Sequence, residues 1–258
     1  MTSNMEQDTR MSGRWLRRTG FVLTALLLLD LAATARAGAA GPGPEFKLQT
    51  GANDTFISPD RQIRLEQYSA DKGNEGFLFQ FWTFDEKREH ASLLNPGEGM
   101  DLAGYPAGFR FSPDSQWLVR MQKTGAGFQD LFLYRRNGFE FSSATPKPLS
   151  EMAWDYFWAL PVSKKLHRDP KDRDSLSHVF AALVKGMDDN YARLGLHWPD
   201  SRYVVISLNF DGQGDDKPLP YLEDWWCAYD LKTGTFSVPA AFAEHNAKTF
   251  TTPRPKRK

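Results

Sequence analysis

The sharpest candidate for cation chemistry is a short acidic segment, residues 209–216, which reads Asn-Phe-Asp-Gly-Gln-Gly-Asp-Asp. Ca²⁺ is bound by carboxylate and amide oxygens on a chain that glycine allows to bend. The candidate ligands are Asn209, Asp211, Asp215 and Asp216. In an EF-hand alignment glycine falls correctly at the sixth position, but Pro220 stands where the bidentate glutamate is required. A hairpin loop with solvated acids therefore explains the segment better than a calcium site.

A second group of candidates combines aromatic rings with carboxylates, an arrangement that can stack on sugars or hold cations. Core packing explains the same rings more simply. Because neighbouring residues on a strand face opposite sides, only one of Trp225 and Trp226 should be a core residue, which leaves the other available for recognition. The candidate binding residues are Trp225, Trp226, Glu223, Asp224, Trp154 and Trp158.

The search for other chemistry finds no G-x-S-x-G, H-E-x-x-H, Cys-x-x-Cys, Walker or dinucleotide motif in the sequence. The five histidines have no short spacing that would place two on one metal, and solvated or locally bonded histidine is the favoured interpretation. They are His90, His167, His178, His197 and His245. Cys227, the one cysteine, sits in an apolar strand pattern that indicates a buried structural thiol. We predict no cofactor.

The elements that position these residues belong to a packed globular chain. Of its 258 residues, 41% are hydrophobic and 14% aromatic, which excludes disordered and collagen-like classes. Lys and Arg total 32 and balance 32 Asp and Glu, so no global charge favours nucleic acid, and we predict no nucleic-acid partner. The basic tail 251–258 is interpreted as a solvated terminus.

Residues 1–37 have the three-part layout of a secretory signal peptide. The basic stretch Arg14–Arg18 precedes an apolar run at Phe21–Leu29, and an Ala-Arg-Ala triplet offers a cleavage site before Gly38. Asp30 limits the apolar run to about nine residues, against the roughly twenty that span a bilayer. We therefore predict an exported protein, periplasmic or secreted, with no stable membrane span after cleavage. The paired arginines leave the Sec and twin-arginine routes both open.

Three segments repeat one theme, a Pro-Asp turn that leads into a β-branched or aromatic run typical of a strand. They are residues 57–65, 111–119 and 198–205. A further strand is predicted after each turn, at Phe77–Phe84, Phe128–Tyr134 and Trp225–Leu231. Hairpin turns with glycine in a left-handed conformation are predicted at Gly138 and Gly234. A recurring signal of this kind indicates a repeat architecture.

The Phe-Ser-Pro-Asp-x-x-Trp-Leu-Val run at 111–119 and the Tyr-Asp-Leu-x-Thr-Gly run at 229–234 resemble the start and end of a blade in TolB-type, WD-like β-propellers. The resemblance implies four-stranded blades around an axis and, as in many exported members, a role as a binding platform. The first unit departs from the pattern at Arg61-Gln62-Ile63, where a glycine-containing turn is usual. Three recognisable units are fewer than the four to eight blades that close a ring, so an incomplete or degenerate ring is open as an alternative.

Between the second and third units, residues 149–196 change period. A short helix is predicted at Glu151–Leu160, and apolar residues at three- or four-residue spacing from Asp174 to Leu194 predict a second helix. The predicted fold is therefore mainly β, a propeller-like antiparallel repeat with a helical insertion. Its segments are a signal peptide at 1–37, a flexible lead-in at 38–50, two β repeat units at 51–148, the insertion at 149–196, a third β unit at 197–250 and the basic tail at 251–258.

The function that these patterns favour is that of an exported, non-enzymatic platform for an envelope protein or peptide. One alternative is an envelope hydrolase acting on glycan, peptidoglycan or peptide, with carboxylates such as Asp211 or Glu223 as acid and base. Another is a carbohydrate-binding module that uses exposed aromatic rings.

Overall fold

A computed structural model describes residues 41–51, 55–94, 105–125, 127–166, 179–184, 202–210 and 221–251. All of these residues lie within one compact unit, Gly38–Lys258. The predicted signal peptide at 1–37 lies outside the described residues, as do Pro199, nearly all of the basic tail and three of the five histidines.

The first unit is an antiparallel sheet at the N-terminal end of the described chain. Its strands are β1 (Lys47–Leu48), β2 (Thr55–Ile57), β3 (Ile63–Asp71), β4 (Phe77–Asp85) and β5 (Ala91–Leu93). The order is β2, β3, β4, β5, and β1 pairs with β3 at the end of that strand remote from Ile63. The pairing of β3 with β4 runs unbroken from Ile63 opposite Asp85 to Asp71 opposite Phe77.

The second unit repeats the same four-stranded meander. Its strands are β6 (Ala107–Phe111), β7 (Trp117–Gly125), β8 (Phe128–Asn137) and β9 (Glu140–Ser143), each antiparallel to the next. Helix α1 (Leu149–Ala159) follows, and a 3₁₀ helix continues from Pro161 to Leu166. The short helix predicted at Glu151–Leu160 is thereby confirmed.

The third unit is a meander of β10 (Val179–Leu183), β11 (Tyr203–Phe210), β12 (Tyr221–Asp230) and β13 (Thr235–Ser237). A short helix, α2 (Ala243–Ala247), and β14 (Phe250–Thr251) complete it, and β14 pairs with β12. The first residues of β10 also pair in parallel with Phe128 and Gln129 of β8, so the second and third units share one nine-stranded sheet.

The prediction of a second helix from Asp174 to Leu194 is wrong at 179–183, where the chain is strand β10. The strand hydrogen-bonds to β11 along its whole length and to β8 at its start, and these bonds satisfy its backbone groups. A short apolar run that includes Val179 and Phe180 suits a strand as well as a helix, and pairing on both sides decides between them. The remainder of the predicted helix lies outside the described residues.

The Pro-Asp turns of the first two units have the same hydrogen bonds. In the first, Ser58 Oγ donates to Asp60 Oδ1 at 2.5 Å and accepts the amide of Ile63 at 3.0 Å. In the second, Ser112 Oγ donates to Asp114 at 2.5 Å and accepts the amide of Trp117 at 2.9 Å. The predicted turns at Pro59 and Pro113 are confirmed, and each leads into the second strand of its unit.

Two apolar layers hold the units together, one on each face of the second unit. Leu118 of β7 lies in the layer shared with Ile63, Leu65 and Phe81 of the first unit. Its neighbour Val119 lies in the layer formed with α1 and the third unit, because adjacent strand residues face opposite sides. The mainly β, propeller-like arrangement of four-stranded antiparallel units with a small helical insertion is thus confirmed.

Candidate functional site

The turns between strands one and two and between strands three and four lie at the same end of each antiparallel unit. Between the first and second units, this end encloses an open cavity of about 650 Å³, which we call the turn-end cavity. It is lined by Asp60, Gln62, Ile63, Asp85, His90, Gln116, Arg136, Gly138 and Phe139. The residues come from four separate turns, which the two stiff sheets hold in place.

Arg136 connects the two units at the base of this cavity. Its Nη1 donates to Asp60 Oδ2 at 2.5 Å, its Nη2 to Gln62 Oε1 at 3.0 Å and its Nε to the carbonyl of Gly138 at 2.6 Å. The guanidinium side chain is 9% exposed. A direct bond from the Asp60 amide to Ser115 Oγ, at 3.0 Å, joins the two Pro-Asp turns as well.

The carboxylate of Asp60 is held in its charged form. Burial by itself would raise its pKa, but hydrogen bonds from Ser58, Arg136 and the Gln62 amide outweigh burial and lower the pKa below the ordinary aspartate value. The pair of Asp60 and Arg136 therefore fixes the geometry of the cavity base at neutral pH.

The turn between β4 and β5 forms the opposite wall. Asp85 Oδ1 accepts the His90 amide at 3.0 Å, and its Oδ2 lies 3.2 Å from His90 Nδ1. The amide hydrogen bond from His90, together with the bond to its ring, lowers the pKa of Asp85. The His90 ring lies 4.7 Å from the ring of Phe139 in the second unit, so this wall also spans both units.

The aromatic residues predicted to bind a ligand are mostly part of the core. Trp225 is 2% exposed and contacts Phe157 of α1 edge-to-face, with ring centroids 4.9 Å apart. Trp154 is also buried, and the half-buried Trp158 lies 6.3 Å from it in a stacked arrangement. The rings of Trp154 and Trp225 therefore have no broad exposed face on which a sugar could stack.

Trp226 faces the other side of β12, as strand alternation predicts, and it is half-buried. The His245 ring of α2 stacks on it with centroids 3.4 Å apart, and Phe242 contacts it edge-to-face at 5.7 Å. Its indole nitrogen donates to Asp224 Oδ1 at 2.6 Å. One face of this ring is therefore already covered by an imidazole.

Asp224 is the centre of a polar cluster on β11 and β12. Its Oδ1 also accepts Ser207 Oγ at 2.5 Å, its amide donates to Asn209 Oδ1 at 2.7 Å, and its backbone φ is +59°. His245 Nε2 lies 2.6 Å from the Asp224 carbonyl oxygen and 3.4 Å from Oδ2. A serine triad needs the imidazole between hydroxyl and carboxylate, whereas here the carboxylate lies between them. The exposed side chain of Glu223 lies next to this cluster.

The calcium candidate is described only at its first residue. Asn209 uses its side chain in the polar cluster with Ser207 and Asp224. Asp211, Asp215 and Asp216 lie outside the described residues, so the described structure does not test the hydrolase alternative that uses carboxylates such as Asp211 or Glu223. Both remain predictions.

Sequence reasoning did not identify the turn-end cavity. Asp60 and Arg136 are 76 residues apart, so their contact exists only through the packing of one unit on the next. A usable signal was nevertheless present, because the repeated Pro-Asp turns and the Asn137-Gly138 hairpin mark the same end of both units. Within the described ranges, no helix is long and apolar enough to cross a membrane.

The described fold is that of a mainly β protein built of blade-like repeats, with a polar cleft between the first two repeats. No protein-family model matches the sequence, and no curated protein matches it. Solved structures that it resembles include TolB from Acinetobacter baumannii, at 13% identity and TM-score 0.31 over 78% of this chain and 32% of that one. Another is the apo AtxE2 isopeptidase, at 11% identity and TM-score 0.37 over 82% and 32%. The chain thus spans about a third of the length of these proteins.

Proposed function

We propose that this chain is an exported, non-enzymatic protein of the cell envelope that binds a peptide or a segment of another protein in the turn-end cavity. The observation that carries the proposal is the cavity itself, about 650 Å³ in volume and built from four turns on two packed sheets. Binding sites are commonly formed by loops on a rigid scaffold, because a preformed site costs little ordering entropy when the ligand arrives.

The chemistry of the walls suits a peptide. The side-chain amides of Gln62 and Gln116 can form hydrogen bonds to a main chain, and the half-buried Phe139 offers apolar contact. Arg136 is held by Asp60, Gln62 and Gly138, so it serves the shape of the site. These features favour recognition by shape and hydrogen bonding.

Export is supported by the signal-peptide layout of residues 1–37. We expect the mature protein to begin at Gly38 and to fractionate outside the cytoplasm. Mass spectrometry of the purified native protein measures this start directly, and a soluble cytoplasmic species that retains Met1 or Met11 would contradict it.

The binding role is tested by filling the cavity. Gln116 is exposed at its rim, so Gln116→Trp adds bulk there without disturbing the core. Lys72 is also exposed but follows β3 at the opposite end of the first unit, and Lys72→Trp is the matched control. Quantitative affinity enrichment from envelope extract should lose the bound partner with Gln116→Trp and keep it with Lys72→Trp. Equal enrichment by both variants would refute binding in the cavity.

A further inference from the structure

The turn between β4 and β5 brings together three metal-ligating side chains at the edge of the turn-end cavity. Asp85, Glu89 and His90 each place one ligand atom within 4.8 Å of the other two. Asp85 begins the turn and His90 ends it, with the Asp85 amide bonded to the His90 carbonyl at 3.3 Å. The backbone thus fixes the spacing of the imidazole and the first carboxylate.

The spacing of these two groups fits a transition-metal ion. His90 Nδ1 and Asp85 Oδ2 are 3.2 Å apart. Two ligands bound tetrahedrally at about 2.0–2.1 Å from Zn²⁺ are themselves about 3.3 Å apart. An ion can therefore replace the direct contact between them with little movement of either side chain. Glu89 is exposed, so its carboxylate can rotate to become the third ligand.

We propose that Asp85, Glu89 and His90 form a binding site for a first-row divalent transition-metal cation of the Zn²⁺ class. One imidazole nitrogen and two carboxylate oxygens are a ligand set that Zn²⁺ accepts and that Ca²⁺, which prefers oxygen ligands throughout, does not. The contact of the His90 ring with Phe139, tilted by 31° at 4.7 Å between centroids, sets the direction of the imidazole. The open cavity beside it, to which Asp85 and His90 both contribute, leaves room for water at the remaining coordination position.

Metal binding can be tested without the partner proposed above, because the experiment needs only the purified protein and the metal. A competing account is that Asp85 and His90 only cap the turn by their hydrogen bonds. That account gives the Glu89 side chain no part, and it predicts no metal affinity. Glu86 lies in the same turn outside the three-residue group and therefore provides a control of equal charge.

The experiment is calorimetric titration of the purified full chain with Zn²⁺, for the wild type and for His90→Ala, Glu89→Gln and Glu86→Gln. We expect saturable binding that weakens at least about tenfold in His90→Ala and Glu89→Gln and is unchanged in Glu86→Gln. The substituted side chains are exposed, and circular dichroism confirms that each variant is folded.

A second readout reports the ligand itself. Electron paramagnetic resonance of the Cu²⁺-loaded chain should show coupling to the His90 nitrogen that disappears in His90→Ala. The proposal is overturned if the wild type shows no saturable Zn²⁺ binding. It is equally overturned if His90→Ala and Glu89→Gln bind as tightly as the wild type, since the metal would then be held elsewhere.

Discussion

Arg136 is one of the side chains through which the second unit holds the first at the turn-end cavity, beside Ser115 and Phe139. Replacement by methionine removes four hydrogen bonds, to Asp60, Gln62 and the carbonyls of Ser115 and Gly138, and leaves the Asp60 carboxylate without its cation. Hydrogen bonds to charged groups contribute about 1.5–3 kcal/mol each when one partner is deleted. We expect Arg136→Met to lower the free energy of unfolding by at least that range, measured by urea denaturation.

The neighbouring Arg135 supplies the control. It is exposed on the other face of β8, where its guanidinium lies 5.6 Å from the centroid of the Trp117 ring. An exposed cation–π contact contributes only about 0.5–1 kcal/mol, so Arg135→Met should destabilise much less. Equal losses for the two variants would show that the bridge to Asp60 does not stabilise the contact between units.

The two adjacent tryptophans of β12 should respond differently to truncation. Trp225 is buried against Phe157, and Trp225→Ala should cost about 3–5 kcal/mol. Trp226 is half-buried, but it stacks on His245 and donates to Asp224, so Trp226→Ala should cost about 1–2 kcal/mol. Chemical denaturation of both variants measures the difference, and equal costs would contradict the opposite facing of the two rings.

For single residues, the sequence predicted burial and exposure better than it predicted contact partners. The alternation of Trp225 and Trp226 and the burial of Cys227 follow from strand geometry, and both are confirmed. Burial also raises the pKa of the Cys227 thiol, as expected for an inert structural cysteine. The stacking of His245 on Trp226 could not be predicted, because α2 reaches that face only through the tertiary fold.

Among the elements, the Pro-Asp turn of the first unit carries a strained residue. Arg61 has a φ of +60°, a left-handed conformation that costs a non-glycine residue about 1–2 kcal/mol. Glycine relieves this cost, but its greater conformational entropy stabilises the unfolded chain by about 0.4–1 kcal/mol. We therefore expect Arg61→Gly to be about 1 kcal/mol more stable than Arg61→Ala in urea denaturation.

Arg61→Ala is the proper reference because it removes the same exposed side chain and keeps the Cβ atom. If alanine is as stable as glycine at this position, the left-handed conformation is not present in solution. The sequence pointed to this turn, since Arg61-Gln62-Ile63 stands where a glycine-containing turn is usual.

The sequence predicted the turns, whose conformation depends on neighbouring residues. It did not predict strand β10, which depends on pairing with distant parts of the chain. Proline, aspartate and glycine set backbone torsions within a few residues, so the turns at Pro59, Pro113, Gly138 and Gly234 follow from the sequence. Strand β10 is different, because its pairing partners are fifty or so residues away in one direction and twenty to thirty in the other. Its apolar spacing alone favoured a helix.

For the molecule as a whole, partly buried ion pairs link stability to pH. Asp60, Glu66 and Asp230 are each partly desolvated, which by itself raises the pKa, but hydrogen bonds from arginine and other donors lower it overall. A carboxyl with a lowered pKa in the folded state binds fewer protons there than in the unfolded chain. Its stabilisation is complete above the unfolded pKa and is lost as the pH falls through the folded pKa.

We therefore expect the melting temperature to be level near neutral pH and to fall from about pH 5 downward. Glu66 is the most enclosed of the three, with Arg88 at 2.7 Å, Arg64 at 2.8 Å and the Tyr68 hydroxyl at 2.6 Å. Glu66→Gln should lose part of the acid dependence although it is less stable at pH 7. A melting temperature that rises on acidification, or an unchanged slope in Glu66→Gln, would contradict this account.

Binding of a partner at the turn-end cavity is tested most directly by site-specific photocrosslinking in the cells that make the protein. A benzophenone side chain replaces Phe139 at the cavity or, as the matched control, the exposed Phe77, which begins β4 at the other end of the first unit. We expect a discrete crosslinked adduct from position 139 and none from position 77. Adducts from position 77 alone, or from neither position, would contradict binding at the cavity.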